Sequence, residues 1–132
     1  MQKSLIPYED QGVPLEALAI SPDHTKRPTV ILCHAWSGRD VFIEEKTALI
    51  SQMGYVAFAL DMYGKGVLGK SREENIALKT PFIEDRALLQ RRVLEGLKRQ
   101  RNCPPSIQTV SPSSVLGLAA YVRLTLRVVG RT

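Results

Sequence analysis

Two short apolar runs, Thr29–Cys33 and Tyr55–Leu60, stand out from the polar segments around them. Both are rich in β-branched and aromatic side chains, which is typical of strands that are covered on both faces. Between the two runs, Asp40 can cap the start of a helix and Gly54 lies where that helix would end. A strand, a helix and a strand within roughly 30 residues form a βαβ unit, so the pattern predicts two parallel strands with a right-handed crossover.

Further elements are predicted on the N-terminal side of this unit. Leu15–Ile20 predicts a strand because it follows turn residues, and Lys3–Tyr8 predicts a weaker one. In the helix between the two apolar runs, the residues Phe42, Leu49 and Met53 are spaced by seven and four positions. This spacing places the three side chains on one face of the helix.

Two helices are predicted after the βαβ unit. Ser71, with Glu74 three residues later, forms a capping-box pattern that opens a short helix ending near Lys79. Pro81 suits the first turn of a second helix, which continues to Gln100. One face of that second helix is predicted to carry Ile83, Ala87, Leu94 and Leu97. Its last turn is rich in basic side chains, which complement the free carbonyl groups there.

The charge of the chain is unevenly distributed. Residues 1–95 contain all 13 acidic residues and 12 of the 18 basic ones, whereas residues 96–132 contain no acid at all. Such a composition is unusual for a globular segment, because about 25% of residues are normally charged, with both signs present. We therefore divide the chain into an α/β domain at residues 1–100 and a tail at residues 101–132 that we expect to be poorly ordered.

Several classes of protein are not expected. No run of about 18 apolar residues occurs and the N-terminus lacks a long apolar stretch, so we expect no membrane span and no signal peptide, and a cytoplasmic location. Nucleic acid is not an expected partner, because the basic residues of the tail are sparse and not interleaved with stacking aromatic side chains. Cys33, His34 and Cys103 lack the spacing of zinc ligands, and we expect neither a metal nor another cofactor.

The polar residues that follow the predicted strands are candidates for chemistry, since α/β proteins place functional groups there. His34 either lies at the mouth of a site or is a structural histidine bonded to a neighbouring loop. Asp61 either caps the next turn or faces the cleft. The motif G-x-S-x-G is absent, because Ala35 stands two positions before Ser37. No serine or cysteine triad can be assembled, so no catalytic residue is assigned.

The segments ILCHAWSGRDVFIEEKTALISQMGYVAFALDMYGKG and TPFIEDRALLQRRVLEGLK resemble the dienelactone hydrolase family of α/β-hydrolases. The family's element G-Y-x-A-x-x-x-D-x-Y-G is matched by Gly54, Tyr55, Ala57, Asp61, Tyr63 and Gly64. The similarity covers roughly residues 1–100. It implies the N-terminal portion of an α/β-hydrolase fold, built on βαβ units with a mostly parallel sheet and incomplete. It also implies descent from enzymes that act on small-molecule esters or lactones.

The resemblance implies roles for only a few residues. The family's catalytic Cys (sometimes Ser), Asp and His lie further along the chain than the similarity extends, so none is carried over. A backbone N–H in the loop after the first βαβ strand helps to form the family's oxyanion hole, and it maps best to Trp36. Members that cleave dienelactone have a Glu where Ala35 stands, so dienelactone itself is not an expected substrate. The oxyanion-hole or pocket candidates are Trp36, His34, Asp61 and Tyr63.

The genetic code allows the tail to be read as a shifted frame. When each alternative codon takes the third base of one codon and the first two of the next, Ser111 through Arg131 can encode AIVGFGFGGLCALDLARSGA. That peptide resembles the family's nucleophile-elbow strand and the helix after it. At the nucleophile position, however, Leu116 followed by Gly117 allows only Gly, Trp or Arg. In the frame as given, the last residues have acceptable β-propensity but no partner elements after them.

Three functions remain open at this point. The first is a dienelactone-hydrolase-like ester hydrolase fragment that is inactive because the nucleophile elbow, the acid and the His are missing. The second is a small non-catalytic α/β module that binds a partner or an acidic surface through its basic C-terminal part. The third is an active hydrolase in which another chain supplies the nucleophile and the His.

Overall fold

The computed structural model of the chain describes residues 2–23, 25, 27–102 and 116–119. Five strands and three helices lie in this part, and those before the last strand follow the order that the hydrophobic pattern predicts. The strands are β1 (Gln2–Asp10), β2 (Val13–Ser21), β3 (Thr29–Cys33), β4 (Val56–Ala59) and β5 (Leu116–Ala119). The helices are α1 (Val41–Gln52), α2 (Arg72–Glu84) and α3 (Arg86–Arg101).

The strands form one mixed sheet in the order β1-β2-β4-β3-β5. β3 pairs in parallel with both β4 and β5, whereas β2 pairs antiparallel with β1 and with β4. The predicted parallel βαβ unit is therefore confirmed as β3, α1 and β4. The predicted strands at Lys3–Tyr8 and Leu15–Ile20 are confirmed within β1 and β2.

Helices cover both faces of the sheet, so that its central strands are buried. On one face, Ile43 of α1 packs with β-strand residues such as Leu18 and Leu32. On the other face, Val93 and Leu97 of α3 pack in a second cluster around the fully buried Phe58. Because β3 and β4 are buried on both sides, their sequences are continuous apolar runs rather than alternating ones.

The predicted caps of α1 are present. The side chain of Asp40 accepts a hydrogen bond from Ile43 N–H at 3.2 Å. Gly54 follows the helix with a φ of +98°, a left-handed conformation that favours glycine. Phe42, Leu49 and Met53 do share one face, but that face is exposed. The buried residues of α1 are Ile43, Thr47 and Ser51, and the Thr47 hydroxyl is satisfied by the Ile43 carbonyl at 2.6 Å.

The boundary between the second and third helices differs from the prediction. The helix that Ser71 caps continues through Pro81 to Glu84, and the next helix begins only after Asp85, whose side chain caps it. Pro81 is tolerated near the end of α2, where the following Asp85 N–H still bonds the Pro81 carbonyl at 3.0 Å. The predicted start of a helix at Pro81 is therefore wrong, because the side chain of Asp85 caps the first turn of α3 more directly.

The predicted apolar face of α3 is also wrong in part. Leu97 is buried, but Leu94 is 41% exposed and Ile83, which belongs to α2, is 60% exposed. The buried face of α3 instead holds Arg92, Val93, Gly96, Leu97 and Gln100. The spacing of apolar residues does not predict this face, because a buried arginine and a buried glutamine are part of it.

The predicted tail falls mostly outside the described residues. Of residues 101–132, the structure describes 101–102 and 116–119, and the expected poor order of the remainder concerns residues that it does not describe. His24 and Cys103 also lie outside the described residues. Leu116–Ala119 forms β5 beside β3, a strand that the sequence analysis did not predict.

Candidate functional site

Two loops meet at the carboxyl ends of the parallel strands β3 and β4. The first loop carries His34, Ala35 and Trp36 directly after β3, and the second runs from Asp61 to Gly64 after β4. The Tyr63 hydroxyl donates to the Trp36 carbonyl at 2.9 Å, and the rings of His34 and Tyr63 lie 4.8 Å apart. The structure therefore brings together all four residues that the sequence analysis named as oxyanion-hole or pocket candidates.

His34 is buried, and both of its ring nitrogens make hydrogen bonds to backbone groups. Nε2 accepts from Met62 N–H at 3.0 Å, so Nδ1 carries the proton in the neutral ring and donates to the Ala35 carbonyl at 2.8 Å. Burial lowers the pKa of His34, which favours this neutral form. The contacts are those of the structural histidine that the sequence analysis weighed against a residue at the site mouth.

Asp61 is buried, and its carboxylate accepts hydrogen bonds from three backbone N–H groups. Oδ1 accepts from Tyr63 and Gly64 at 3.1 Å each, and Oδ2 accepts from Glu16 of β2 at 3.0 Å. The backbone of Asp61 is fixed as well, because its N–H and carbonyl both bond the Tyr8 hydroxyl. Asp61 thus caps the turn that follows β4, which is one of the two roles considered for it.

The peptide unit between Ala35 and Trp36 is held on its carbonyl side. The Ala35 carbonyl accepts from His34 Nδ1 and from Gly38 N–H at 3.1 Å. Within the described part of the chain, the N–H of Trp36 has no hydrogen-bond acceptor. The Lys79 ammonium lies 5.2 Å from the centre of the Trp36 ring. Among the described residues, the Trp36 N–H is therefore unbonded while the carbonyl of the same peptide unit is held in place.

Gly38 lets the loop after β3 pack closely against a second loop. Its φ is +100°, and a Cβ atom there would lie 2.9 Å from the Val67 carbonyl oxygen. The Ser37 carbonyl also accepts from Gly69 N–H at 2.9 Å. Only glycine suits the position of Gly38, because any side chain would meet the backbone of the neighbouring loop.

Arg39 fixes the same loop to β2. Its guanidinium donates to the Glu16 carbonyl at 2.8 Å and to the Glu16 carboxylate at 2.9 Å. A third bond reaches Glu44 in the first turn of α1 at 3.2 Å. The loop after β3 is thus held by a largely buried arginine as well as by His34.

An ionic cluster behind the second loop, formed by Asp10, Arg91 and Arg92, was not predicted from the sequence. Arg92 of α3 donates to the Asp10 carboxylate at 2.6 Å and to the Met62 carbonyl at 2.5 Å. Arg91 donates to the other oxygen of Asp10 at 2.8 Å. Burial works to raise the pKa of Asp10, but the hydrogen bonds from the two arginines outweigh it and lower that pKa. No local signal reveals the pair, because Asp10 and Arg92 are 82 positions apart.

The described residues do not contain a nucleophile with a matched base. Burial raises the pKa of the Cys33 thiol to about 11, so it stays protonated and unreactive near neutral pH. The Ser37 hydroxyl donates to Asp40 at 2.6 Å rather than to a histidine. Within these same ranges, no group of three or more His, Cys, Asp or Glu side chains is arranged to hold a metal ion. None of the helices described is long and apolar enough to cross a bilayer.

The family of the chain follows from comparison with known proteins. The sequence model of the dienelactone hydrolase family matches residues 15–116. That match covers more than half of the sequence, and the chain belongs to the dienelactone hydrolase family. A search of curated proteins found no match.

Solved structures of this family share the fold. The dienelactone hydrolase-like promiscuous phosphotriesterase P91 from metagenomic libraries is 18% identical, with a TM-score of 0.77 over 89% of this chain and 48% of that one. A structure titled m3DLH has a TM-score of 0.79 at 18% identity, over 89% of this chain and 48% of its own. Dienelactone hydrolase from Anabaena variabilis has a TM-score of 0.62 at 18% identity, over 90% and 51% of the two chains. The chain therefore spans about half the length of these structures.

Proposed function

We propose that the loop after β3 supplies one oxyanion-binding N–H, that of Trp36, in a site for small carboxylic esters or lactones. The observation that carries this proposal is the state of the Ala35–Trp36 peptide unit. Its carbonyl accepts two hydrogen bonds, whereas its N–H has no acceptor among the described residues. An N–H that is held in place before the reaction can stabilise the charge that develops on a carbonyl oxygen. Membership of the dienelactone hydrolase family supports the substrate class.

We also propose that the chain on its own is inactive as an esterase. His34 cannot act as a general base in this arrangement, because Nε2 already accepts from Met62 N–H and Nδ1 carries the proton that it donates to the Ala35 carbonyl. Cys33 is protonated and buried, and the Ser37 hydroxyl donates to Asp40 rather than to a histidine. An oxyanion-binding N–H without an activated nucleophile does not complete an acyl-transfer site. The cytoplasmic location of the chain stays a prediction.

The tail supports a further part of the proposal. Residues 96–132 lack any acidic residue, and the shifted reading of Ser111 through Arg131 resembles the family's nucleophile elbow. We infer that residues from about 100 onward are read in a shifted frame and that the chain is a truncated product. The catalytic acid and histidine would then be encoded in the other frame or beyond it, whereas the nucleophile position of that frame allows only Gly, Trp or Arg.

The oxyanion part of the proposal is tested by binding rather than by turnover. Titration of the ¹⁵N-labelled chain with a small alkylphosphonate, which mimics a tetrahedral oxyanion, should shift the amide resonance of Trp36 to lower field. Trp36→Pro removes the N–H and should abolish binding, whereas Trp36→Phe keeps it and serves as the matched control. A phosphonate that perturbs other amides but leaves Trp36 unchanged would contradict the role of this N–H.

The inactive part is tested by an ester assay. The purified chain should hydrolyse p-nitrophenyl acetate no faster than the buffer does. Turnover that follows the protein through purification and disappears in Cys33→Ala or Ser37→Ala would overturn the proposal, because it would reveal a nucleophile.

The alternative of a module that binds an acidic partner stays a prediction without a specific structural observation in its favour. In the last turn of α3, Lys98 pairs with Glu95 at 3.3 Å, and Arg99 donates to the carbonyls of Pro7 and Asn102. These basic side chains therefore already make contacts within the chain. A salt-sensitive interaction that is lost on deleting residues 100–132 would bring this function forward.

A further inference from the structure

A continuous series of hydrogen bonds leads from the end of β1 through α3 to the loop after β3. It begins at Asp10, whose carboxylate holds the Arg92 guanidinium at 2.6 Å. Arg92 donates to the Met62 carbonyl at 2.5 Å, and Met62 N–H donates to His34 Nε2 at 3.0 Å. His34 Nδ1 then donates to the Ala35 carbonyl at 2.8 Å.

The last bond in this series bears directly on the candidate oxyanion donor. The Ala35 carbonyl and the Trp36 N–H belong to the same peptide unit, which is planar and trans. In a trans peptide the N–H points opposite to the carbonyl oxygen, so fixing one fixes the other. A hydrogen bond that orients the Ala35 carbonyl therefore also orients the Trp36 N–H.

We propose that His34 and Arg92 are positioning residues for the oxyanion site, with the Arg92–Met62–His34 contacts setting the direction of the Trp36 N–H. The proposal rests on the oxyanion role proposed above for that N–H. Neither side chain needs to touch the substrate. Arg92 acts through the Met62 peptide and His34 acts through the Ala35 carbonyl, so a change in α3 is transmitted to a loop on the other side of β4.

The series of hydrogen bonds is continuous only if His34 is neutral and carries its proton on Nδ1. A proton on Nε2 would place a donor against the Met62 N–H, and the contact would become repulsive. The charged groups that act on His34 are Asp61, Asp40 and Arg39. Asp61 is committed to three backbone N–H groups, and Arg39 is committed to Glu16 and Glu44. None of the three makes a hydrogen bond to the His34 ring among the described residues.

The two adjacent arginines of α3 provide a matched pair of variants. Both donate to Asp10, but only Arg92 reaches the Met62 carbonyl. In Arg92→Met, the ¹⁵N shift of His34 Nε2 should move away from that of a bonded acceptor, and the ¹H and ¹⁵N shifts of the Trp36 amide should change. In Arg91→Met, both observables should stay at the wild-type values.

Two further measurements keep the proposal open to refutation if Arg92→Met does not fold. Long-range ¹H–¹⁵N spectra of the wild-type chain should show the Nδ1–H tautomer of His34 between pH 6 and 8. His34→Gln should alter the Trp36 amide shift, whereas Leu49→Gln on the exposed face of α1 should not. An Nε2–H tautomer in the wild type, or equal effects of Arg91→Met and Arg92→Met, would overturn the proposal.

Failure of this proposal can be told apart from failure of the proposed function. The tautomer of His34 and the amide shifts of Trp36 are measured without any ligand, whereas the oxyanion role is measured by phosphonate binding. If the phosphonate binds at Trp36 equally well in Arg92→Met, the oxyanion role is supported and the positioning role of Arg92 is refuted. If His34 has the Nδ1–H tautomer but the phosphonate does not bind, the hydrogen-bond series is supported and the oxyanion role is refuted.

Discussion

At the scale of single residues, a neutral histidine joins the two loops of the candidate site. His34 accepts from Met62 after β4 and donates to Ala35 after β3, so it holds the carboxyl ends of two parallel strands together. The bond from Met62 N–H requires the ring to be uncharged, because a protonated Nε2 cannot accept a hydrogen bond. The stability of the fold should therefore depend on pH in the range where a histidine titrates.

The sign of this pH dependence follows from the lowered pKa of His34. In the unfolded chain the ring takes up a proton near pH 6.5, whereas the folded chain resists protonation to a lower pH. Between these values the unfolded state binds more protons, so the free energy of unfolding should fall as the pH falls below about 6.5, by at most about 1.4 kcal/mol per pH unit. Urea unfolding measured from pH 8 to pH 5 tests this expectation.

The two histidines of the chain supply the control for that experiment. His34→Gln should flatten the fall in stability between pH 6.5 and pH 5, because carboxylates contribute mainly below that range. His24→Gln should leave the fall unchanged, because in the sequence His24 lies in the polar segment SPDHTKRP between two predicted strands. A fall that persists in His34→Gln would assign the pH dependence to another group.

Asp61 gives a second prediction at this scale. Its carboxylate satisfies three backbone N–H groups, those of Glu16, Tyr63 and Gly64. Asp61→Ala leaves these donors without their acceptor and should lower the free energy of unfolding by about 2–4 kcal/mol, because an unsatisfied buried donor costs about 1–3 kcal/mol. Asp61→Asn keeps one acceptor oxygen and should cost less. Equal stability of wild type and Asp61→Ala in urea would refute the capping role.

The residues after the strands could be found from sequence, but their contacts could not. His34, Trp36, Asp61 and Tyr63 follow apolar runs directly, and parallel strands bring their carboxyl ends to one edge of the sheet. Arg92 lies within α3, and Asp10 ends β1, which pairs antiparallel rather than parallel. Their pairing depends on how α3 crosses β1, which a periodic pattern does not contain.

At the scale of elements, α1 shows why a helix can be predicted while its buried face is not. The helix carries two sets of apolar positions, and the set at Phe42, Leu49 and Met53 is exposed. The buried set includes Thr47 and Ser51, whose small side chains allow the helix to lie close to the sheet. Thr47 can be buried because its hydroxyl donates to the Ile43 carbonyl. The polarity of the side chains therefore does not tell which face of α1 is exposed.

The two faces of α1 can be compared by truncation. Ile43 is 2% exposed and packs in the cluster between α1 and the sheet, so Ile43→Ala should lower the free energy of unfolding by about 2–4 kcal/mol. Leu49 is 50% exposed, and Leu49→Ala should cost about 0.5 kcal/mol. Urea unfolding of the two variants decides the matter. A larger loss for Leu49→Ala would mean that the exposed face is covered in solution.

α3 packs closely against the end of β4 at Gly96, a contact that the hydrophobic pattern does not predict. Gly96 is buried against the end of β4, where a Cβ atom would lie 2.5 Å from a Leu60 methyl carbon. Glycine is a poor helix former, so its presence in the middle of α3 is explained by this contact. The helix lies close enough to the sheet for Arg92 to reach Asp10 and Met62.

At the scale of the whole molecule, the sequence predicted the α/β class and most of the elements. The strands β2, β3 and β4 and the cap of α1 were recoverable because burial on both faces and capping leave local signals. The mixed order of the sheet and the strand β5 were not, because strand pairing is set by contacts between distant segments. The family match, which reaches residue 116, extends beyond the residues 1–100 that the motifs covered.

The central claim is that this chain holds the oxyanion loop of a dienelactone hydrolase family site while the catalytic acid and histidine are encoded outside its reading frame. Sequencing the coding DNA from the Leu97 codon to several hundred bases past the stop codon tests it most directly. We expect a second frame that continues into an elbow helix and then encodes a later Asp and His. Absence of such a frame would contradict the claim, make the tail genuine sequence, and leave hydrolase membership as ancestry alone.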